Sequence, residues 1–188
     1  MNLVDLWDYV TQDDILEFGG WNERKKAFNK DHGYLGTYLK NLNISVIVNS
    51  TIFVHGGIHP AWAKKFGLDN LNLITNSMLR DNKAEELQKE YFLFGPDSPT
   101  WYRGYAQLPE DEVCPLLDEA LKALKVERMV VGHTPQRSGK ILSRCNGRFL
   151  DIDVGISKVY GGYIAAVEIY PDHVNALYPS GPVLIKKN

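Results

Sequence analysis

The sequence predicts an α/β chain, and three observations carry that prediction. Short β-branched runs end in a histidine beside glycine at two distant places, Ile52-Phe53-Val54-His55-Gly56-Gly57 and Met129-Val130-Val131-Gly132-His133. The stretch from Cys114 to Lys125 has the spacing of an amphipathic helix and leads into the second of these runs. From Lys140 onward the pattern is all strand, bounded by turn residues. A chain of 188 residues, 44% hydrophobic and 23% charged, suits one globular domain over 1–188 with a substantial core.

Residues 1–40 read as helical. Thr11 is placed to cap a helix that begins at Gln12 and ends at Gly19-Gly20. Trp21 to Asn29 and Leu35 to Leu39 give two further helical pieces, separated by Gly33. Ile44 to Val48 and Thr51 to Val54 are β-branched runs joined by Asn49-Ser50, the pattern of a tight hairpin delivering His55. After Pro60, helices are expected over Trp62 to Phe66 and Leu68 to Arg80, and the charged stretch Asp81 to Lys89 is expected to be exposed. In the helix from Cys114, Leu116, Leu117, Ala120, Leu121 and Leu124 share one face. Arg128 to Val131 follows as a buried strand. Ile141 to Cys145 and Arg148 to Ile152 flank Asn146-Gly147, the strongest hairpin signal in the chain. Tyr163 to Ile169 and Val174 to Tyr178 complete a meander.

A net charge of −2 and a pI near 6.2 give no reason to expect nucleic acid or an anionic membrane as partner. Cys114 and Cys145 have no C-x-x-C spacing, so neither a disulfide framework nor a zinc knuckle is indicated. A reducing, cytoplasmic compartment is the default expectation. No apolar run has transmembrane length, and the sequons at Asn43 and Asn49 are short, common patterns.

The candidate chemistry lies at strand ends. A residue just past a strand's carboxyl end is held firmly yet faces the open edge of a sheet, where ligands bind. Gly56 and Gly57 let the backbone turn and leave room beside His55 for a metal or an oxyanion. Either histidine alone reads as a hydrogen-bonded loop residue. The matched contexts make His55 and His133 a candidate metal pair. Three other motifs fail. Glycines between His55 and His59 rule out a zincin helix, no G-x-S-x-G elbow accompanies His-Gly-Gly, and Gly132 to Lys140 has neither P-loop spacing nor its Ser/Thr. Gly95 to Tyr105 is a turn-rich loop with Trp101, Tyr102 and Tyr105 around Arg103. Two readings of Arg103 stand: stacked between the rings for packing, or held by them to grip phosphate with its planar fork.

With His55, Arg103 and His133 in view, the chain resembles the calcineurin-like metallophosphoesterases of the phosphoprotein phosphatase superfamily, and most closely the bacterial-type Shewanella-like protein phosphatases. Four stretches in order carry the resemblance. They are Val54-His55-Gly56-Gly57-Ile58 with Pro60 and Trp62; Gly95-Pro96 with Trp101-Tyr102-Arg103-Gly104-Tyr105; Val130 to Gln136; and Asp151-Ile152-Asp153-Val154-Gly155-Ile156-Ser157 with Tyr160-Gly161-Gly162. The resemblance implies His55 and His133 as metal ligands, Arg103 as phosphate clamp, and Asp153 and Tyr160 at the site's border. It implies hydrolysis of a phosphomonoester, on a phosphorylated protein or a small molecule. In the family two divalent metals (manganese, iron or zinc), bridged by a carboxylate, lower the pKa of a bound water.

The family's first-half motifs, G-D-x-H-G, G-D-x-x-D-R-G and G-N-H-E, do not occur in this chain. They would bring most metal ligands, a second phosphate arginine and the general-acid histidine. Met1-Asn2-Leu3 matches the residues that follow G-N-H-E in the family, so the chain resembles the C-terminal half of the domain. Asp8 stands where relatives carry a basic residue. The expected fold is therefore a partial two-sheet sandwich with flanking helices and an exposed apolar edge, binding at most one metal, weakly, and having little or no catalysis alone. Two rival expectations are a pseudophosphatase fragment that binds a phosphorylated partner or complements a separate N-terminal half, and a small α/β binding domain with one structural metal.

Overall fold

The computed structural model describes residues 10–80 and 95–187. The chain forms two compact units, Met1–Leu42 with Leu79–Asp81 and Asn43–Met78 with Asn82–Asn188. The expectations for residues 1–9 and for Asp81 to Lys89 lie outside the described residues.

The first unit carries three short helices, α1 (Gln12–Glu17), α2 (Trp21–Ala27) and α3 (Tyr34–Leu39), as the sequence predicts. Thr11 caps α1 reciprocally: its hydroxyl accepts from the Asp14 N–H at 3.2 Å, and the Asp14 carboxylate accepts from the Thr11 N–H at 2.7 Å. Gly20, at φ 112°, turns the chain into α2. The Arg24 guanidinium lies 5.0 Å from the centre of the Phe28 ring.

The second unit is an α/β assembly of two sheets. Its elements are β1 (Ser45–Val48), β2 (Thr51–Val54), α4 (Pro60–Arg80, broken at Gly67), α5 (Gly104–Gln107), α6 (Glu110–Leu124), β3 (Arg128–Val131), β4 (Leu142–Arg144), β5 (Phe149–Asp151), β6 (Ala166–Ile169), β7 (His173–Tyr178) and β8 (Gly181–Lys187). The first sheet has the order β1-β2-β3-β5-β4 and the second β6-β7-β8. Strands β2, β3 and β5 run parallel, with Phe53 opposite Val130 and Val131 opposite Asp151. The antiparallel β1 and β4 flank them.

Side chains alternate across the first sheet with period two. Ile52, Val54, Met129, Val131 and Phe149 point into a core with Ile58 and Leu71 and the buried face of α6, Val113, Leu117, Ala120, Leu121 and Leu124. Phe53, Val130 and Leu150 point the other way and meet Val167, Ile169, Val174 and Ile185 of the second sheet. Helices thus cover one face and strands the other. Full burial of one such side chain contributes roughly 1.5–3 kcal/mol.

Three findings depart from the sequence reading. Helix α6 starts at Glu110, four residues before Cys114, with Glu110, Asp111 and Glu112 in its first turn and Pro115 accommodated inside. Strand β8 was not expected; it sits on the outer edge of its sheet, where Pro182 removes no ladder bond from a second neighbour. The third is a correction: Cys114 and Cys145 form a disulfide, their Cα atoms 5.5 Å apart. They lie 31 residues apart in sequence, and only the packing of α6 against the β4–β5 hairpin brings them together. The Glu110 carboxylate sits beside them, accepting from the Cys145 N–H at 2.8 Å. The case for a reducing compartment rested on unpaired cysteines and lapses with them. No helix among the described residues is long and apolar enough to cross a membrane.

Candidate active site

Parallel pairing assembles the site. His55 follows β2 directly, His133 lies two residues beyond β3, and Asp153 lies two residues beyond β5. All three therefore stand at the carboxyl edge of adjacent parallel strands, the ligand-binding edge of such sheets. The Gly132 N–H donates to the His55 carbonyl at 2.9 Å and ties the first two strand ends together. The imidazoles meet: His55 Nε2 lies 3.1 Å from His133 Nδ1.

The loop carrying Arg103 is pinned to the same edge. Both Gly56 and Gly57 donate their N–H groups to the Pro99 carbonyl, at 2.8 and 3.2 Å. A side chain at 56 would be tight, because a Cβ there would meet backbone of Tyr102 and Pro99 at 3.0 and 3.1 Å. The rings of the loop pack on one another and on the histidines. Tyr102 is edge-on to Tyr105 at 4.9 Å and to His59 at 5.3 Å, and Trp101 is edge-on to His133 at 5.2 Å. Tyr105 is buried and donates its hydroxyl to the Ile58 carbonyl at 2.9 Å. Arg103 is oriented by hydrogen bonds: Nη1 donates to the His133 carbonyl at 2.6 Å and to the Thr134 hydroxyl at 3.3 Å.

His133 is held in an unusual state. Its φ of 71° is a left-handed conformation that residues other than glycine adopt uncommonly. Burial first, then the charge of Arg103 and the nearness of His55, hold its pKa down to about 4 against an ordinary 6.5, with Asp153 and the Trp101 backbone opposing. Among the described residues its Nε2 is buried without a hydrogen-bond partner. The nitrogen that faces His55 is the other one, Nδ1, and a neutral imidazole can offer it to an ion. The spacing also fits. Two nitrogens side by side on one ion, with bonds of about 2.0–2.1 Å, stand about 3–3.4 Å apart.

Of the border residues, the Asp153 Oδ1 accepts from the Gly155 N–H at 3.1 Å, which shapes the loop after β5. Tyr160 ends a short 3₁₀ turn (Lys158–Tyr160), is 55% exposed, and packs its backbone against Gly155. Sequence reasoning passed over Asp151 and Gln136. Asp151 is fully buried; it accepts from Gln136 Nε2 at 2.9 Å and from the Asp153 N–H at 3.1 Å, while Gln136 N–H donates to the Asp153 carbonyl at 2.7 Å. This knot staples the loop bearing His133 to the loop bearing Asp153. A carboxylate in a strand whose other positions are apolar was the available signal.

Asp151 gives the site a pH dependence. Burial above all pushes its pKa up to about 7 from an ordinary 3.8. The folded chain holds a proton that the unfolded chain releases, so this stability is full below about pH 3.8 and is lost as pH rises through about 7. His133 has the opposite sign: its contribution is full above pH 6.5 and is lost as pH falls toward about 4. The two oppose one another in acid, and above pH 6.5 Asp151 acts without that opposition. Urea titrations should show stability falling between about pH 6.5 and 8, and Asp151→Asn should flatten that fall. A slope unchanged in Asp151→Asn would place the titrating group elsewhere.

No protein-family profile matches the chain. An uncharacterised protein of Schizosaccharomyces pombe is 33% identical over 183 residues, covering 94% of this chain and 54% of the relative. Shewanella-like protein phosphatase 1 of Plasmodium berghei is 30% identical over 164 residues, covering 84% of this chain and 45% of its own. Shewanella-like protein phosphatase 2 of Arabidopsis thaliana is 30% identical over 174 residues, covering 91% and 44%. Among solved structures, a cold-active protein tyrosine phosphatase superposes with a TM-score of 0.68 at 26% identity, covering 84% of this chain and 46% of that one. The chain is homologous to Shewanella-like protein phosphatases. Its mixed α/β fold matches the fold of these phosphatases. It spans about half the length of the curated relatives it matches.

Proposed function

We propose that the chain is the C-terminal half of a metal-dependent phosphomonoester hydrolase of the calcineurin-like phosphoprotein phosphatase superfamily, with His55 and His133 as metal ligands and Arg103 as phosphate clamp. The observation that carries this reading is the convergence of the two imidazoles, 3.1 Å apart, beside an arginine tied to the His133 backbone. Arg103 has one nitrogen committed to the protein, which fixes the plane of its fork. Among the described residues its other nitrogens are left for phosphate oxygens, and bidentate contact orients a phosphate as a lysine cannot. Trp101 walls one side of His133, and Tyr102 and Tyr105 hold the arginine loop rigid. A divalent metal (manganese, iron or zinc) at the histidines would neutralise phosphate charge and acidify water. Asp153 and Tyr160 border this space; they are proposed as its rim.

The test is calorimetry of the purified chain with manganese and with zinc. Two imidazoles leave most coordination positions to water, so weak binding is expected, and it should vanish in His55→Ala. Tight, stoichiometric binding that survives both His55→Ala and His133→Ala would refute the assignment. A second reading, a non-catalytic half that complements a separate N-terminal half, is favoured by the exposure of Val46 and Val48 on β1 of the first sheet.

A further inference from the structure

The corner where α6 begins against the β4–β5 hairpin gathers three metal-ligating side chains. Glu110 and Cys114 stand four residues apart on α6, so they project from one face of the helix. Cys145 lies in the turn between β4 and β5, at φ 51°. It precedes β5, so it sits at the amino edge of the parallel strands, across the sheet from the strand ends that carry His55 and His133. One ligand atom from each of Glu110, Cys114 and Cys145 lies within 4.8 Å of the other two. Glu110 Oε1 and Cys114 Sγ are 3.9 Å apart. While the disulfide stands, the two sulfurs are spent on each other. The corner does not depend on that bond for its shape. The Cys145 N–H donates to the Glu110 carboxylate at 2.8 Å, and Arg144 Nη1 donates to the Leu108 carbonyl just ahead of α6. Val113 and Leu117 are buried in the core from the same helix.

We propose that the reduced chain binds one zinc ion at this corner, through the Cys114 and Cys145 thiolates and the Glu110 carboxylate, with water in the fourth position. The link between α6 and the hairpin then takes two forms, a disulfide under oxidising conditions and a zinc bridge under reducing ones. A dithiol reductant gives two electrons and two protons to the disulfide and is itself oxidised to a disulfide. Zinc then displaces the two thiol protons into solvent. With bonds of about 2.3 Å to sulfur and about 2.0–2.2 Å to oxygen, tetrahedral ligands stand about 3.6–3.8 Å apart. The Glu110 oxygen is already near that distance from Cys114, and the sulfurs reach it by parting from each other through side-chain rotation. Thiolates select zinc over the oxygen-seeking manganese. Cys145 is 5% exposed, Cys114 half-buried and Glu110 exposed, which shields the ion on one side and leaves the other to water. The Cys145 N–H orients the carboxylate, the role that outer partners play around metals. Arg148 Nε donates to the Cys145 carbonyl at 3.1 Å and adds positive charge beside ligands whose negative charge exceeds that of the ion. The site shares no residue with the histidine pair and does not rest on the phosphatase reading.

The experiment is titration of the chain with cobalt(II), which takes zinc's tetrahedral sites and reports sulfur ligands by a near-ultraviolet charge-transfer band that imidazole and carboxylate do not give. A phosphine serves as reductant, because a dithiol would compete for the ion. The reduced chain should develop the band, saturating at one cobalt per chain, and zinc should bleach it. The oxidised chain should show none, and any ion it holds should depend on His55, which keeps the two sites apart. Glu110→Gln should weaken zinc binding by at least the roughly 10–100-fold typical of losing an outer partner. In urea, zinc should return the midpoint of the reduced chain toward that of the oxidised one. A reduced chain without the band, a band undiminished in Cys114→Ser or Cys145→Ser, or an affinity untouched by Glu110→Gln overturns the proposal. Saturation at one cobalt per two chains also overturns it, by placing the ion between copies.

Discussion

The purified 188-residue chain should hydrolyse an aryl phosphate no faster than buffer containing the same manganese. The expectation follows from the groups present. On the proposed reading, His55 and His133 offer two ligand nitrogens, and Arg103 offers one phosphate clamp. Among the described residues no carboxylic acid or further histidine is hydrogen-bonded to the pair as a proton donor for a leaving group. General acid–base assistance alone is typically worth about 10²–10⁴-fold, and loss of a fully held metal comes on top of that. On the proposed reading, supplying an N-terminal half of the relatives' type should raise the rate by at least that range. In the completed enzyme Arg103→Ala should remove most of the gain, and Arg103→Lys should not restore it, because an ammonium cannot make two parallel contacts. Robust turnover by the chain alone, abolished in Arg103→Ala, would show that the residues present suffice.

The second large effect is on stability. Reduction, or Cys114→Ser with Cys145→Ser, should lower the free energy of unfolding by about 3–4 kcal/mol. That is the loop entropy released when a cross-link between residues 31 apart is opened. Native packing should survive, since α6 is held to the sheet independently through Val113, Leu117, Leu121 and Leu124. Denaturant midpoints with and without a dithiol reductant measure the difference at once. A shift below about 1 kcal/mol would mean that the reduced unfolded chain keeps these segments together.

Local chemistry explains what could be read in advance. The hairpins at Asn49-Ser50 and Asn146-Gly147 were legible because left-handed residues announce a turn: Asn49, Asn146 and Gly147 all have positive φ. The α1 cap was legible because Thr11 and Asp14 sit three apart. His55 and His133 were legible as strand-end residues and as a candidate pair, yet the packing that makes them meet was not. It depends on β2 and β3 lying side by side in parallel, which no spacing within either segment encodes. The disulfide was hidden for the same reason. Strand β8 was masked by Pro182 and two lysines, which an edge strand tolerates and a central strand does not. Asp151 was hidden because sequence shows a carboxylate but not the desolvation that makes it consequential.

The parallel pairing of β2 with β3 sets Thr51 opposite Arg128. Such contacts between residues remote in the chain are slow to form, because the entropy of closing the loop is spent before any packing repays it. The disulfide gives no shortcut, since the loop it closes does not bring β2 any nearer to β3. The histidine pair therefore exists only after the most remote strand contact at the site has formed. On the proposed metal reading, capture of the ion during refolding, followed spectroscopically, should trail the burst of helical signal and keep pace with closure of the central sheet, which makes the metal a stopwatch for that closure.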